Sequence, residues 1–209
     1  MGTWVVRPGD YLEQIATRVG VRAEHIWNDP RNAALRTKGR TPTQLSPGDV
    51  LHIPATPKPK LAVTPGGFNS YLARIPMVKV PLALSGAEGP MRDEPFEVEG
   101  LPKPFTGTTD GEGKATFEVP VRVREVTIFL PKRALRFQLC VGDLDPITED
   151  AGVFARLVNM GFAMPAASGA PSEADVRNAV AGFQQSKGLE ATGEIDDATR
   201  QGIAEAHGN

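Results

Sequence analysis

Two Pro-Gly-Asp turns near the N-terminus constrain what this chain can fold into more than any other feature. Pro8–Asp10 follows a short apolar stretch, residues 3–7, and Pro47–Asp49 precedes another, residues 50–53. Proline fixes φ and glycine admits the left-handed conformation, so each Pro-Gly step reverses the chain direction. The two apolar stretches are therefore predicted to be strands that open and close one small unit.

The segment after the first turn has the apolar spacing of a helix. Its apolar residues recur at i, i+3, i+4 and i+7, which places them on one helical face: Leu12, Ile15, Ala16 and Val19. Asp10, with Glu13 three residues later, predicts a capping box at the start of this helix. Gly20 is a typical C-terminal stop, so the helix is predicted to end there.

The remainder of this N-terminal unit, residues 1–54, is less regular. Residues 23–28 predict a second short helix, which the Asp-Pro pair that follows them ends. Residues 31–44 are polar and basic and predict a long solvated loop. The predicted order is βααβ, and residues 55–60, rich in proline and lysine, are predicted to be a linker.

Residues 61–142, the middle unit, show the period-two alternation and β-branched enrichment of strands. Turns that contain glycine or proline separate the predicted strands, which cover residues 77–84, 94–99, 115–119, 125–130 and 135–141. Short strands at this spacing are typical of an antiparallel β-sandwich.

Residues 143–209, the C-terminal unit, return to helical periodicity. Three polar residues are predicted N-caps, each before an apolar helical face: Thr148, Ser172 and Asp196. The chain is therefore predicted to be a multidomain α+β protein, with a βααβ unit, an antiparallel β-sandwich and a small three-helix unit.

The N-terminal pattern resembles a LysM domain over residues 5–54. The matching residues are Val5, Pro8-Gly9-Asp10, Leu12, Ile15-Ala16, Gly20, Asn28, Pro30 and Leu45-x-Pro-Gly-Asp-x-Leu-x-Ile-Pro54. LysM domains hold glycans that contain N-acetylglucosamine in a shallow groove between the strand–helix loop and the loop after the second helix. The resemblance implies the following groove residues in this chain: Gly9, Asp10, Tyr11, Leu12, Ile26, Asn28, Asp29 and Pro30.

The sequence departs from the LysM pattern at two places on the ligand-facing side. Tyr11 stands where the family usually has Thr or Ser, and residues 31–44 are longer than in a minimal LysM domain. Two readings stay open at this point. The groove either still holds a sugar, with the Tyr11 ring beside it, or has become a surface that docks protein.

The C-terminal unit is similar to the three-helix peptidoglycan-binding domain of wall hydrolases. The matching residues are Val153, Ala155 to Leu157, Gly161-Phe162, Val176, Ala179-Val180, Phe183-Gln184, Gly188-Leu189, Thr192-Gly193, Asp196 and Thr199. Residues 166–172 replace the family's middle Asp-Gly loop. The middle unit is loosely similar to transthyretin-like and carboxypeptidase-regulatory-like sandwiches, through an Asp-Gly hairpin in residues 109–117.

This order of units resembles proteins that accompany type VI secretion and related contractile injection systems. The resemblance implies a non-catalytic protein that binds peptidoglycan or a chitin-like glycan. The alternative is a structural adaptor that docks spike, baseplate or effector proteins, and a cell-wall hydrolase is the third candidate. No signal-peptide run is present at the N-terminus. The protein is therefore expected to be cytoplasmic when synthesised and to reach the periplasm or cell wall through a secretion machine.

Charge and composition limit the other classes of function. A formal net charge of −2 gives no large electrostatic field around the protein, so nucleic acid and membrane surfaces are not expected as partners. Cys140 is the only cysteine, which excludes an internal disulfide. The three histidines are not spaced as metal ligands, and no cofactor or nucleophile motif is present. We expect no catalytic residue, no metal and no cofactor.

Overall fold

The computed structural model of the chain describes residues 2–55, 62–71, 75–86, 88–165 and 170–207. These residues form helices and antiparallel sheets, which confirms the α+β class. No helix among them is both long and apolar enough to cross a membrane. Residues 56–60 of the predicted linker and residues 166–169 of the predicted loop lie outside the described residues.

In the N-terminal unit, a two-stranded sheet encloses three short helices. Strand β1 (Gly2–Val5) pairs antiparallel with β2 (Val50–Ile53), with Trp4 opposite Leu51. Between them lie α1 (Leu12–Val19), α2 (Ala23–Trp27) and α3 (Ala33–Thr37). Apolar side chains from all five elements meet in one core, and Trp4 and Trp27 pack at its edge. The two turns thus open and close one packed unit.

Two predictions for this unit are wrong. Residues 31–44 contain helix α3 because Leu35 is apolar and enters the core, which anchors that turn of the chain. Asp10 is not the N-cap of α1; Tyr11 occupies that position and makes no side-chain cap. The Asp10 carboxylate instead accepts hydrogen bonds from the Trp4 indole N–H and the Arg7 backbone N–H, both of which precede the helix.

The middle unit consists of two sheets around one core. The strands are β3 (Met77–Ala83), β4 (Ser85–Gly86), β5 (Gly89–Pro90), β6 (Pro95–Glu99), β7 (Phe105–Thr108), β8 (Lys114–Pro120), β9 (Glu125–Leu130) and β10 (Leu135–Cys140). A four-stranded antiparallel sheet has the order β10-β9-β6-β7, and β3 pairs with β8 in a second sheet, while β4 and β5 form a small hairpin. Inward residues of β3, β6, β8 and β9 share the core. All five predicted strands are confirmed.

In the C-terminal unit, α4 (Asp150–Asn159), α5 (Glu173–Ser186) and α6 (Asp197–His207) pack around one apolar cluster. Ser172 is the N-cap of α5, as predicted, and it forms a capping box with Asp175. The Asp196 carboxylate accepts a hydrogen bond from the Thr199 N–H at the start of α6. The cap predicted for Thr148 is wrong, because the N-cap position of α4 is one residue later, at Glu149.

Candidate functional site

Asp10, the first carboxylate of the predicted groove, is buried and fully bonded. Its Oδ2 accepts hydrogen bonds from the Trp4 indole N–H at 3.0 Å and the Arg7 backbone N–H at 3.2 Å. Its Oδ1 lies 3.4 Å from an Arg18 guanidinium nitrogen and 3.3 Å from one of Arg124. Since Arg124 belongs to the loop before β9, this carboxylate joins the N-terminal unit to the middle unit.

Tyr11 makes a second contact between the same two units. Its side chain is 4% exposed, and its hydroxyl donates a hydrogen bond of 2.8 Å to the backbone carbonyl of Val121. Its ring lies against Gly142, where a side chain would overlap it. Burial, followed by the nearby Glu13 carboxylate, raises the pKa of Tyr11 above its usual value, and Arg124 opposes this. The hydroxyl therefore stays a hydrogen-bond donor at neutral pH.

Leu12 and Ile26 of the predicted groove are core residues, and both side chains are closed off from solvent. The Leu12 N–H donates to the carbonyl of Pro42 at 2.9 Å, so this backbone donor is also occupied. Gly9 is half-buried beside Asp143 and Arg124 of the middle unit and the chain that follows it. The strand–helix side of the predicted groove is thus covered by packing from both units.

The other side of the predicted groove is open. Asn28 and Pro30 are exposed, and Asp29 is bonded to Arg31 through both carboxylate oxygens. These hydrogen bonds hold the pKa of Asp29 well below its usual range. Asn28 and Asp29 line an open depression of about 590 Å³ together with Glu24, His25 and Pro54. The structure therefore brings the eight residues to two faces, one covered and one accessible to solvent.

A second contact ties the N-terminal unit to the C-terminal unit. Arg40, from the segment predicted to be a solvated loop, is only 8% exposed at its side chain. It bonds to Asp49 at 2.9 Å within its own unit, and to Glu149 at 2.7 Å and the Thr148 hydroxyl at 3.0 Å across the interface. Sequence reasoning missed this role, since Arg40 looked like its solvated basic neighbours.

In the C-terminal unit, one buried amide organises the connection between α5 and α6. The Gln184 amide NH₂ shares its two hydrogens among the Thr192 hydroxyl, the Glu194 carbonyl and the Thr199 hydroxyl, which lie at 3.0–3.1 Å. Its amide oxygen accepts from the Gly193 N–H at 2.9 Å. Buried polar groups that are fully bonded hold their neighbours in one geometry. The surface that residues 187–196 present is therefore fixed rather than loose.

The stability of the C-terminal unit is expected to decrease below about pH 6.5 because of His207. Burial, followed by the charge of Arg156, lowers the pKa of His207, and its buried Nδ1 has no hydrogen-bond partner in the described structure. The unfolded chain therefore takes up the proton first as pH falls, which favours unfolding. Urea denaturation between about pH 5 and 7.5 would measure this, and His207→Gln should flatten that part of the profile.

Among the described residues, no group of three or more His, Cys, Asp or Glu side chains could hold a metal ion. The Cys140 thiol is exposed; desolvation, and then the carboxylates of Asp143 and Glu125, raise its pKa. A thiol with a raised pKa is protonated at neutral pH, so it lacks the thiolate that nucleophilic catalysis uses.

Comparison with known proteins connects one segment of the chain to a family. Residues 155–202 match the family model described as "Putative peptidoglycan binding domain". No curated protein and no solved structure matches the chain. The matched segment runs from α4 into α6 and includes Gln184 and the connection that it organises. The C-terminal helices are therefore the part of this protein that is similar to a peptidoglycan-binding domain.

Proposed function

We propose that the protein is a non-catalytic peptidoglycan-binding protein whose wall contact is made by the C-terminal unit. The observation that carries this proposal is the match of residues 155–202 to a peptidoglycan-binding family. The unit has its own apolar core and capped helices, so it can present a fixed surface to the wall. A net charge of −2 suits a glycan better than a strongly charged polymer.

The N-terminal unit is proposed to be a LysM domain that takes N-acetylglucosamine-containing glycan. Its paired β1 and β2 strands with helices between them support this classification. The exposed Asn28 and Pro30 and the depression beside them leave room for a sugar on one side of the predicted groove.

A structural adaptor is the second candidate, and the contacts of Tyr11 and Arg40 favour it. Both residues lie at departures from the LysM pattern, and both bond to other units of the same chain. An N-terminal unit used in this way positions the rest of the protein. In this proposal the chain is made in the cytoplasm, and its partners are spike or baseplate proteins of a contractile secretion machine.

Retention on purified peptidoglycan sacculi tests the first candidate directly. The wild-type chain should sediment with sacculi and release no soluble wall fragments. Retention no greater than that of an unrelated soluble protein would end the proposal, and released fragments would overturn its non-catalytic part. Co-purification with secretion-machine proteins, without sacculus retention, would favour the adaptor.

A charged residue at Leu189 is expected to weaken sacculus binding about tenfold, which corresponds to roughly 1.4 kcal/mol. Leu189 is an exposed apolar residue inside the matched segment, and apolar side chains suit the C–H faces of sugars. Leu189→Asp would replace that surface with a hydrated carboxylate. Leu135→Asp is the matched control, because Leu135 is equally exposed but lies on β10. An equal loss in both variants would indicate unspecific hydrophobic adsorption.

A further inference from the structure

We propose that the middle unit holds the N-terminal glycan groove closed, so that a glycan binds there fully only after the two units separate. This inference rests on the proposed function, since it takes the N-terminal unit to be a glycan-binding LysM domain. It adds a regulation of that site: docking within the chain and glycan binding exclude one another.

The Tyr11 ring is the centre of the closing contact. It leaves the groove side of the N-terminal unit and ends in a hydrogen bond to the Val121 carbonyl of the middle unit. Gly142 accepts the ring because it has no side chain; an added Cβ would lie 2.7 Å from ring atom Cε1 and closer still to Cδ1. A close approach of this kind is specific to glycine and shows that the two surfaces are fitted to each other.

Arg124 of the middle unit extends the contact along the groove. Its guanidinium lies 3.3 Å from Asp10 Oδ1 and 3.2 Å from Gln14 Oε1. Asp10 and Tyr11, two consecutive groove residues, are buried beneath this contact. A sugar ring cannot lie against these side chains while the middle unit remains in place.

The exposed half of the predicted groove gives a glycan a place to bind before the units separate. Asn28 and Pro30 remain accessible, so a glycan can make a first, weak contact without any movement. Completing the site requires the middle unit to leave. When only a fraction of molecules is competent to bind, the apparent affinity is reduced by that fraction. Variants that open the contact should therefore bind glycan more tightly. A variant that removes a ligand-contacting residue should instead bind glycan more weakly.

Gly142→Ala tests the closure from the side of the middle unit and leaves the groove residues unchanged. The new Cβ would displace the Tyr11 ring. Gly161→Ala is the matched control, because the two glycines have almost the same φ, +82° and +83°, and a Cβ at Gly161 meets nothing within 4 Å. Both variants therefore place alanine at almost the same positive φ, and only one of them disturbs docking.

The measurement is binding of chitotetraose to the full chain by titration calorimetry. We expect Gly142→Ala to bind at least about tenfold more tightly than wild type and Gly161→Ala. Arg124→Glu, which places a negative charge against Asp10, should act in the same direction and serves if Gly142→Ala does not fold. Equal affinity in all the folded proteins overturns the closure.

The inference is also overturned if no protein binds chitotetraose although hydrogen exchange shows that residues 9–12 have opened in the variants. The same assay on sacculi keeps the two proposals distinguishable, because wall retention through the C-terminal unit should be equal in wild type, Gly142→Ala and Arg124→Glu, whose substitutions lie outside residues 143–209. Loss of chitotetraose binding with intact retention counts against the groove alone. Loss of retention with intact chitotetraose binding counts against the C-terminal unit alone.

Discussion

Replacing Gly152 by alanine is expected to destabilise the C-terminal unit by about 3 kcal/mol, near the upper end for overpacking a core. Gly152 is buried in the first turn of α4. A Cβ there would lie 2.6 Å from the carbonyl oxygen of Asp145 and closer still to that of Pro146. Both are backbone atoms that cannot rotate away, so either residues 145–146 or the start of α4 must move.

The same movement would disturb Arg156, whose side chain is entirely buried. One of its guanidinium nitrogens donates to the carbonyls of Asp145 and Gly152, each at 2.8 Å. Burial lowers the pKa of Arg156 to about 10, so it is still charged at neutral pH. A buried cation that loses its acceptors is costly, which adds to the steric penalty.

Urea denaturation with hydrogen exchange in α4, α5 and α6 would measure this effect. Exchange is needed because a chain of several units need not unfold in a single step. Gly182→Ala in α5 is the control, since its Cβ would make ordinary contact with Phe162 at 3.6 Å. Alanine favours a helix by about 1 kcal/mol over glycine, so this variant should be at least as stable as wild type. A Gly152→Ala protein of unchanged stability would contradict the packing of α4 on residues 145–146.

Arg40→Met is expected to cost about 3 kcal/mol and to loosen the N-terminal unit from the C-terminal unit. Removing Arg40 leaves Asp49 buried without its cation. Burial alone lowers the pKa of Arg40, but the hydrogen bonds to Glu149 and Asp49 outweigh burial and raise it. The charged pair is therefore stable in the folded protein, and methionine fills the space without replacing the charge.

Glu149→Gln separates the two parts of this prediction. Glu149 is about half exposed, so its ion pair with Arg40 should contribute at most about 1 kcal/mol. This variant should weaken the tie between the units and leave the buried Arg40–Asp49 pair intact. Thermal melting gives the stability, and hydrogen exchange at residues 148–150 reports the interface. Equal, small losses in both variants would show that the Arg40–Asp49 pair is not effectively buried.

The fold of the middle unit could be predicted well because its strands carry their own signal. The prediction for residues 125–130 coincides with strand β9, since inward Val126, Ile128 and Leu130 alternate with more exposed residues. Strand β7 was missed because Gly107 and its threonine neighbours give no apolar alternation. That strand exists because β6 pairs with it, and pairing across the sheet is not visible in a local window.

The candidate site could be predicted only in part, because its decisive contacts are distant in sequence. The Asp-x-x-Glu pattern predicted a cap at Asp10, but Trp4 and Arg124 take up that carboxylate. No local sequence pattern around Val121 or Gly142 indicates that these residues contact an aromatic ring. The only local signal was the unusual residue type at Tyr11, which indicated a changed role and gave no partner.

The Arg40–Glu149 link has a mechanical consequence. It connects the N-terminal and C-terminal units directly, at a distance of 2.7 Å between charged atoms. Tension applied between the N-terminal and C-terminal units would therefore load this link together with the Tyr11 and Arg124 contacts that join the N-terminal unit to the middle unit. The pull would thus be shared between the ionic link and the docked middle unit, and the covalent chain would not carry it alone.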